Sequence, residues 1–483
     1  MLYKRIIGTI ASVLLAVLCT GCSFSGLSDN DLLQPPKATG EKAEIQGLLE
    51  VTTNGDYTLK YPQSGDYRSA IIMQDLNSDG DDEAVAFYRN KKDSSAINIM
   101  FMDKVGGKWA SVGTFSNANS DVDRIYFGDI DSDGINEAIV GWSSYLTGGS
   151  QVTMYKYKEG SVSEVIVNDD TNYADMVFMD ITNDGVSDLI ILTTATEDDT
   201  GKSTSLARLY SSCANKKFSR VSEIKTNPNV VSYSQIMQGT VSDGVNGLFV
   251  DGNTSSLGEL ITEVIYYSSQ NKSLVSPLDV TQNDGTVTNV TQRVTSSVCK
   301  DIDEDGIIEV PSQFTPILTD DKLTPCPITK WYKIDADRGE MKQTIQTIAS
   351  YFDGFYFILP DNWKNHVVAV NDNTSRTTTF YCIKEVVKED NSETPTEAAT
   401  VPELDSDKAD NTVTAVETEK QPVLTIKVFS EKDWKNDGAA RLSDGYSVLE
   451  ESNSLVYTCK LGASENGQYN LSSQQVSKYF KLI

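Results

Sequence analysis

One histidine, His366, is all that the 483 residues contain. Any site that needs two or more histidines from this chain is excluded, including histidine-rich zinc sites and the HExxH protease pattern. Positive charge is scarce too. The 41 Lys and Arg stand against 69 Asp and Glu, a net charge of −28, and the pI is about 4.4. Such a chain repels phosphate backbones and anionic membranes, which excludes a broad nucleic-acid surface. Beyond Leu18, no stretch approaches the roughly 18 apolar residues of a membrane span. The GxSxG, Walker and dinucleotide fingerprints are missing. Wholesale disorder is excluded by a hydrophobic fraction of 39% with 22 Tyr and 15 Phe. The length corresponds to about three domains.

The first residues read as a targeting segment. Lys4 and Arg5 form a basic start, and Ile6 to Leu18 is an apolar run too short for an ordinary span. Cys19-Thr20-Gly21-Cys22 comes next. This resembles the bacterial lipoprotein signal, with residues 1–21 removed and Cys22 carrying the lipid. Cys19 stands where that signal usually has Leu. Five cysteines remain beyond Cys22: Cys213, Cys299, Cys326, Cys382 and Cys459. An odd number cannot all pair within one chain. Cys382 and Cys459 lie in similar strand-like runs, so a disulfide between them and free buried thiols are both open.

Internal repetition organises the central part of the chain. An apolar strand, the pattern D-x-[DNT]-x-D-G-x-x-[DE] and a second apolar strand recur at Asp75–Glu83, Asp129–Glu137, Asp180–Asp188 and Asp301–Glu309. A degraded copy, Gly239–Gly247, keeps the Asp243-Gly244 turn but has Gly at the first and last acid positions. The starts at 75, 129, 180, 239 and 301 are spaced by 54, 51, 59 and 62 residues. Hairpins are expected at Met100–Trp109, Tyr155–Val165, Tyr266–Val275 and Trp331–Met341. Four short strands in each interval of this length are the pattern of propeller blades.

The chemistry of the loop is that of a hard cation. Side chains at positions 1, 3, 5 and 9 and the carbonyl at position 7 supply oxygens, and Gly at position 6 permits the turn. The expected ligands are Asp75, Asn77, Asp79, Asp81 and Glu83, then Asp129, Asp131, Asp133, Ile135 and Glu137. Asp180, Thr182, Asp184, Val186 and Asp188 form the third set, and Asp301, Asp303, Asp305, Ile307 and Glu309 the fourth. Without a cation, converging carboxylates repel one another. Oxygen-only donors outside the cell favour Ca²⁺.

These repeats resemble the FG-GAP/VCBS calcium-binding blades of integrin-α-like propellers, from Asp56 to Ser350. Phe127-Gly128 and Val140-Gly141-Trp142 are partial echoes of the integrin cage motifs, so the bacterial variety is the nearer match. The layout is also similar to a group of Firmicutes surface lipoproteins, on Leu33-Gln34-Pro35-Pro36-Lys37, Leu59-Lys60-Tyr61-Pro62 and Asp66-Tyr67-Arg68-Ser69-Ala70. That group has no assigned activity, so the resemblance implies architecture and not a reaction.

The expected fold is mainly β: a propeller of about five four-stranded blades over 56–349, with a small C-terminal α+β domain over 350–483. The strand Asp56–Tyr61 is expected to complete the last blade; a sixth blade within 339–383 is the competing count. Residues 22–55 read as a tether with a short helix, Thr39 to Leu49, capped by Thr39. Residues 388–421 read as a disordered acidic insertion, and Ser472–Leu482 as a helix. His366 reads as a surface histidine beside a strand.

The function this implies is a lipid-anchored calcium-binding propeller on the extracellular face of the bacterial membrane, acting as a binding module for a surface protein or glycan. No catalytic residue is singled out. The alternative is a calcium-dependent propeller enzyme acting on extracellular polysaccharide, which needs no histidine. A third role, as an assembly or sensory lipoprotein, shares the same sequence features.

Overall fold

The computed structural model describes residues 40–118, 121–144, 149–167, 169–197, 203–212, 218–254, 258–283, 286–294, 297–384 and 415–483. The targeting segment, Cys22, Thr39, Cys213 and most of the acidic insertion lie outside them. Described elements are mainly antiparallel strands, with three α-helices among the described residues. The described residues divide into two compact units, those up to 125 with 156–163 and those of 126–155 with those from 164 onward.

In the first unit, helix α1 (Glu41–Thr53) starts after Gly40 and buries Ile45 and Leu49, one helical turn apart. These pack with Ile71, Ala84, Met100, Met102 and Trp109 of the first sheet. That sheet runs Tyr57–Leu59, Glu83–Asn90, Ile97–Val105, Lys108–Asn117, with Ile71–Gln74 also on Glu83–Asn90. Its two central strands are buried along most of their length, whereas Lys108–Asn117 is largely half-buried or exposed. The strand expected to complete the last blade sits here instead, Tyr57 opposite Asn90. Ile71–Gln74 covers only Glu83 to Ala86. The remaining edge of the longer strand is left for Tyr57–Leu59 to pair.

The second sheet runs Asn172–Tyr173, Ser150–Lys158, Glu137–Ser143, Asp121–Gly128, with Ser161–Val165 on Ser150–Lys158. The third runs Asp175–Met179, Asp188–Glu197, Ser203–Ser211, Ser219–Thr226. The fourth runs Val230–Ser242, Val245–Thr254, Glu259–Ser268, Ser273–Val275, with Arg293–Val294 at its side. The fifth runs Val310–Phe314, Ile328–Asp335, Glu340–Ser350, Phe355–Ile358, Phe480–Leu482. The expected hairpins are all formed.

Within the second unit, successive sheets share cores in chain order. Ile139 and Met154 pack with Leu189 and Ile191. Ile190 and Leu209 pack with Leu248 and Ile265. Phe249 and Val264 pack with Val310 and Ile334. Sheet-on-sheet burial in sequence order is what consecutive blades require.

The degraded repeat is a plain β-hairpin. Val230–Ser242 and Val245–Thr254 pair up to Ser242 opposite Val245, across Asp243-Gly244. Its two glycines stand where the backbone is crowded. A Cβ at Gly239 would meet Ile308 at 2.6 Å, and one at Gly247 would meet the Ile265 carbonyl at 2.7 Å. No acid fits at either place.

The C-terminal sheet runs Val367–Asp372, Thr377–Ile383, Thr418–Ser430, Leu455–Leu461, Tyr446–Ser452. Helix α2 (Glu431–Ser443) is capped by Ser430, and α3 (Ser473–Tyr479) by a Ser472/Gln475 capping box. Four differences from expectation appear. The helix at the terminus stops at Tyr479, and Phe480–Leu482 pairs with Phe355–Phe357 in the fifth sheet. Residues 339–383 are divided between the fifth and C-terminal sheets and form no sheet of their own. The strand Thr418–Ser430 starts inside the expected insertion, because Val416 is buried with Val368 and Ile383. Finally, the boundary at 350 falls within a continuous core: Ile328, Ile348 and Phe357 pack with Phe380, Ile426 and Tyr457.

Cys382 and Cys459 are free, buried thiols. Their strands flank Thr418–Ser430 on opposite sides, so no disulfide joins them. His366 is half-buried rather than fully exposed, its ring stacked on Tyr469 at 5.6 Å.

Candidate metal loops

The four complete acidic loops share one backbone. The fourth position lies in the left-handed region in each, at Ser78 (φ 60°), Ser132 (58°), Asn183 (61°) and Glu304 (62°). The glycine at the sixth position comes two residues later, at Gly80 (95°), Gly134 (89°), Gly185 (87°) and Gly306 (90°). No side chain is tolerated comfortably at the latter angles. The N–H of that glycine donates to the first acid: Gly80 to Asp75 (3.1 Å), Gly134 to Asp129 (2.8 Å), Gly185 to Asp180 (2.9 Å) and Gly306 to Asp301 (2.8 Å). The seventh N–H donates to the fifth acid, Asp79, Asp133, Asp184 or Asp305, at 2.9–3.1 Å.

The last acid begins the next strand and is buried. Glu83, Glu137, Asp188 and Glu309 are at most 1% exposed. Each accepts the N–H of the apolar second residue: Leu76 (2.8 Å), Ile130 (3.0 Å), Ile181 (3.2 Å) and Ile302 (2.9 Å). Those four side chains are themselves buried. An apolar anchor thus pins the loop, and its N–H turns the buried acid toward the loop centre.

Burial raises three of these carboxyls, those of Glu83, Asp188 and Glu309. It pushes Glu83 up to about 7, the Leu76 N–H pulling back and Asp103 adding to the rise. Burial raises Asp188 as well, against bonds from Ser211 and Thr182. Two unscreened carboxylates 4 Å apart repel by about 4 kcal/mol at an effective dielectric near 20. A bound cation would relieve this.

Loop two gathers carboxylate oxygens of Asp129, Asp131 and Glu137 within 4.8 Å of one another. Loops one and three have Asn77 and Thr182 at the third position, each donating to the last acid at 3.0 Å. Loop two's ligands are oxygens of the kind Ca²⁺ takes, and its residues fit such an ion; among the described residues loops one and three do not bring three carboxylates together in this way. The carbonyls of Asp81, Ile135 and Val186 complete the expected sets.

Loop four also brings Asp301, Asp303 and Glu309 within 4.8 Å. The neighbouring strand supplies a cation that the loop pattern did not reveal. Lys333, from strand Ile328–Asp335, sets its ammonium 3.2 Å from Asp303, 3.2 Å from Glu309 and against Asp305. Burial works against the charged Lys333, and the bonds to Asp305, Asp303 and Glu309 more than offset it. An added divalent ion does not fit here without displacing that ammonium. The signal lay in the hairpins: Asp103 and Lys333 each precede the turn of the hairpin opposite a loop's last acid.

The degraded fourth repeat carries a different polar centre. Arg293 and Asp251, both fully buried, pair at 2.6 Å. Thr262 and the Cys299 N–H also donate to Asp251, at 2.5 and 2.9 Å. Burial raises the Cys299 thiol far above its ordinary range. Every charge here is paired, which suits a structural staple. A cavity of about 320 Å³ between the hairpins at Tyr266 and Gly339 has Asp337 and Arg338 as its charged lining and no carboxylate pair. Among the described residues, no helix is long and apolar enough to cross a membrane.

No family model matches this chain, and no curated protein does. Solved structures resemble it weakly. The rhamnogalacturonan lyase YesW matches at 11% identity and a TM-score of 0.26, over 67% of this chain and 81% of the lyase. A protein from Lactobacillus plantarum matches at 10% identity and a TM-score of 0.19, over 68% and 97%. The Dos1 propeller matches at 9% identity and a TM-score of 0.24, over 65% and 70%. Scores at this level assign neither a fold nor an activity.

Proposed function

We propose that this chain is a calcium-stabilised β-propeller that serves as a binding module at the outer face of a bacterial cell membrane, anchored by lipid on Cys22. The observation that carries the calcium reading is the gathering of Asp129, Asp131 and Glu137 oxygens within 4.8 Å in loop two, on a backbone and hydrogen-bond scheme that the other complete loops repeat. The propeller reading is supported by antiparallel sheets that share cores in chain order. The anchor rests on the Cys22 motif alone. In this reading the metal loops are scaffold, and a surface protein or glycan docks elsewhere on the sheets.

The test is capture of partners from native membranes by the intact chain, with Ca²⁺ and with chelator, alongside Asp129→Ala. A partner retained only in Ca²⁺, and lost or weakened with Asp129→Ala, supports the reading. Equal capture by both proteins under both conditions contradicts it.

A further inference from the structure

We propose that Lys333 is the resident cation of the fourth acidic loop, so that Asp301–Glu309 is closed by an ammonium of the chain itself and takes no Ca²⁺. This rests on the calcium reading of the other loops and departs from it at this one.

The strand registers locate the position that decides. In the first sheet Ala84 faces Met102, which sets Glu83 opposite Asp103 one residue further along. In the third, Leu189 faces Tyr210, which sets Asp188 opposite Ser211. In the fifth, Val310 faces Tyr332, which sets Glu309 opposite Lys333. The same site on the neighbouring strand therefore holds an acid, a hydroxyl and an ammonium in turn.

Each choice changes what its loop needs. Asp103 adds a negative charge beside Glu83 and is held by the Tyr157 hydroxyl at 2.5 Å. Loop one thus carries the greater demand for an external cation. Lys333 does the reverse. It answers Asp303, Asp305 and Glu309 together, with its side chain 19% exposed. An ammonium offers three N–H donors, enough for three carboxylates. A Ca²⁺ ion would need those same oxygens and would have to expel the ammonium from them.

The fold gives the difference a purpose. Loop four backs onto the fourth sheet, where Ile308 N–H donates to Thr240 at 3.1 Å. It also leads into the fifth sheet, whose core continues into the C-terminal sheet. An internal cation makes this junction independent of outside calcium.

Two measurements on the full chain test this. The first is Ca²⁺ calorimetry of wild type and Lys333→Met, which keeps most of the stem's packing. The expected result is one additional Ca²⁺ per chain in the variant. Unchanged stoichiometry, with the other loops binding, overturns the inference alone; no binding by either protein overturns the calcium reading with it. The second needs no variant. In wild type, chelator should speed amide exchange across 75–83, 129–137 and 180–188, and leave 301–309 as it was. Equal loss of protection in 301–309 overturns the inference.

Discussion

The backbone N–H of Ile130 donates to the carboxylate of Glu137 at 3.0 Å, across seven residues of loop two. Ile130 is buried, and so is Glu137. One hydrogen bond thus couples the apolar core to the acid that faces the loop centre. The same bond recurs in the other three loops.

Glu137→Ala removes that acceptor and leaves a buried N–H unpaired. The expected loss is about 2–3 kcal/mol, read from urea unfolding in Ca²⁺. Glu137→Gln keeps an acceptor oxygen and removes the charge. It should retain most of the stability in chelator and lose the gain that Ca²⁺ gives at this loop. Equal behaviour of the two variants would contradict the role given to the charge.

Gly239→Ala should destabilise the fourth sheet by about 1–3 kcal/mol, a cost of overpacking. The added methyl would lie 2.6 Å from Ile308, in a loop that is itself pinned to Thr240. Gly239→Asp should not create a further calcium site. A thermal melt and a calcium titration check the two statements.

A pH dependence arises from Glu263, which is buried beside Asp279 and accepts the Asn227 N–H at 2.9 Å. Burial first, then Asp279, pushes its carboxyl from an ordinary value near 4.5 up to about 8. The folded chain therefore binds this proton more tightly than the unfolded chain. Its contribution is full below about pH 4.5 and is lost as the pH rises through about 8. The urea midpoint in chelator should fall between pH 5 and pH 8.5, and Glu263→Gln should flatten that fall. A midpoint that rises over this range in wild type, or a slope unchanged in the variant, would contradict the assignment.

The loops and hairpins were legible in the sequence because their determinants are local. Asp, Gly and the apolar second residue fix the turn within nine positions, and Gly106-Gly107 or Asp243-Gly244 mark tight reversals. What was not legible depends on pairing between distant segments. The strand Tyr57–Leu59 lies beside Glu83–Asn90 because that strand has a free edge, not because of its own residues. Phe480–Leu482 comes after a well-capped helix, and only the edge at Phe355–Ile358 draws it into a strand. Lys333 is ordinary in its own hairpin and becomes informative only once the register sets it opposite Glu309. The glycines of the degraded repeat looked like loss of ligands; the structure adds that Ile308 and the Ile265 carbonyl leave no room for them.

The most direct test of the central claim is calcium calorimetry on the intact wild-type chain, paired with thermal melts in Ca²⁺ and in chelator. Three ions per chain are expected, at Asp75–Glu83, Asp129–Glu137 and Asp180–Asp188, with a higher Tm in Ca²⁺. No heat of binding and superimposable melts would contradict that claim, and would reduce the acidic loops to turns closed by their own hydrogen bonds.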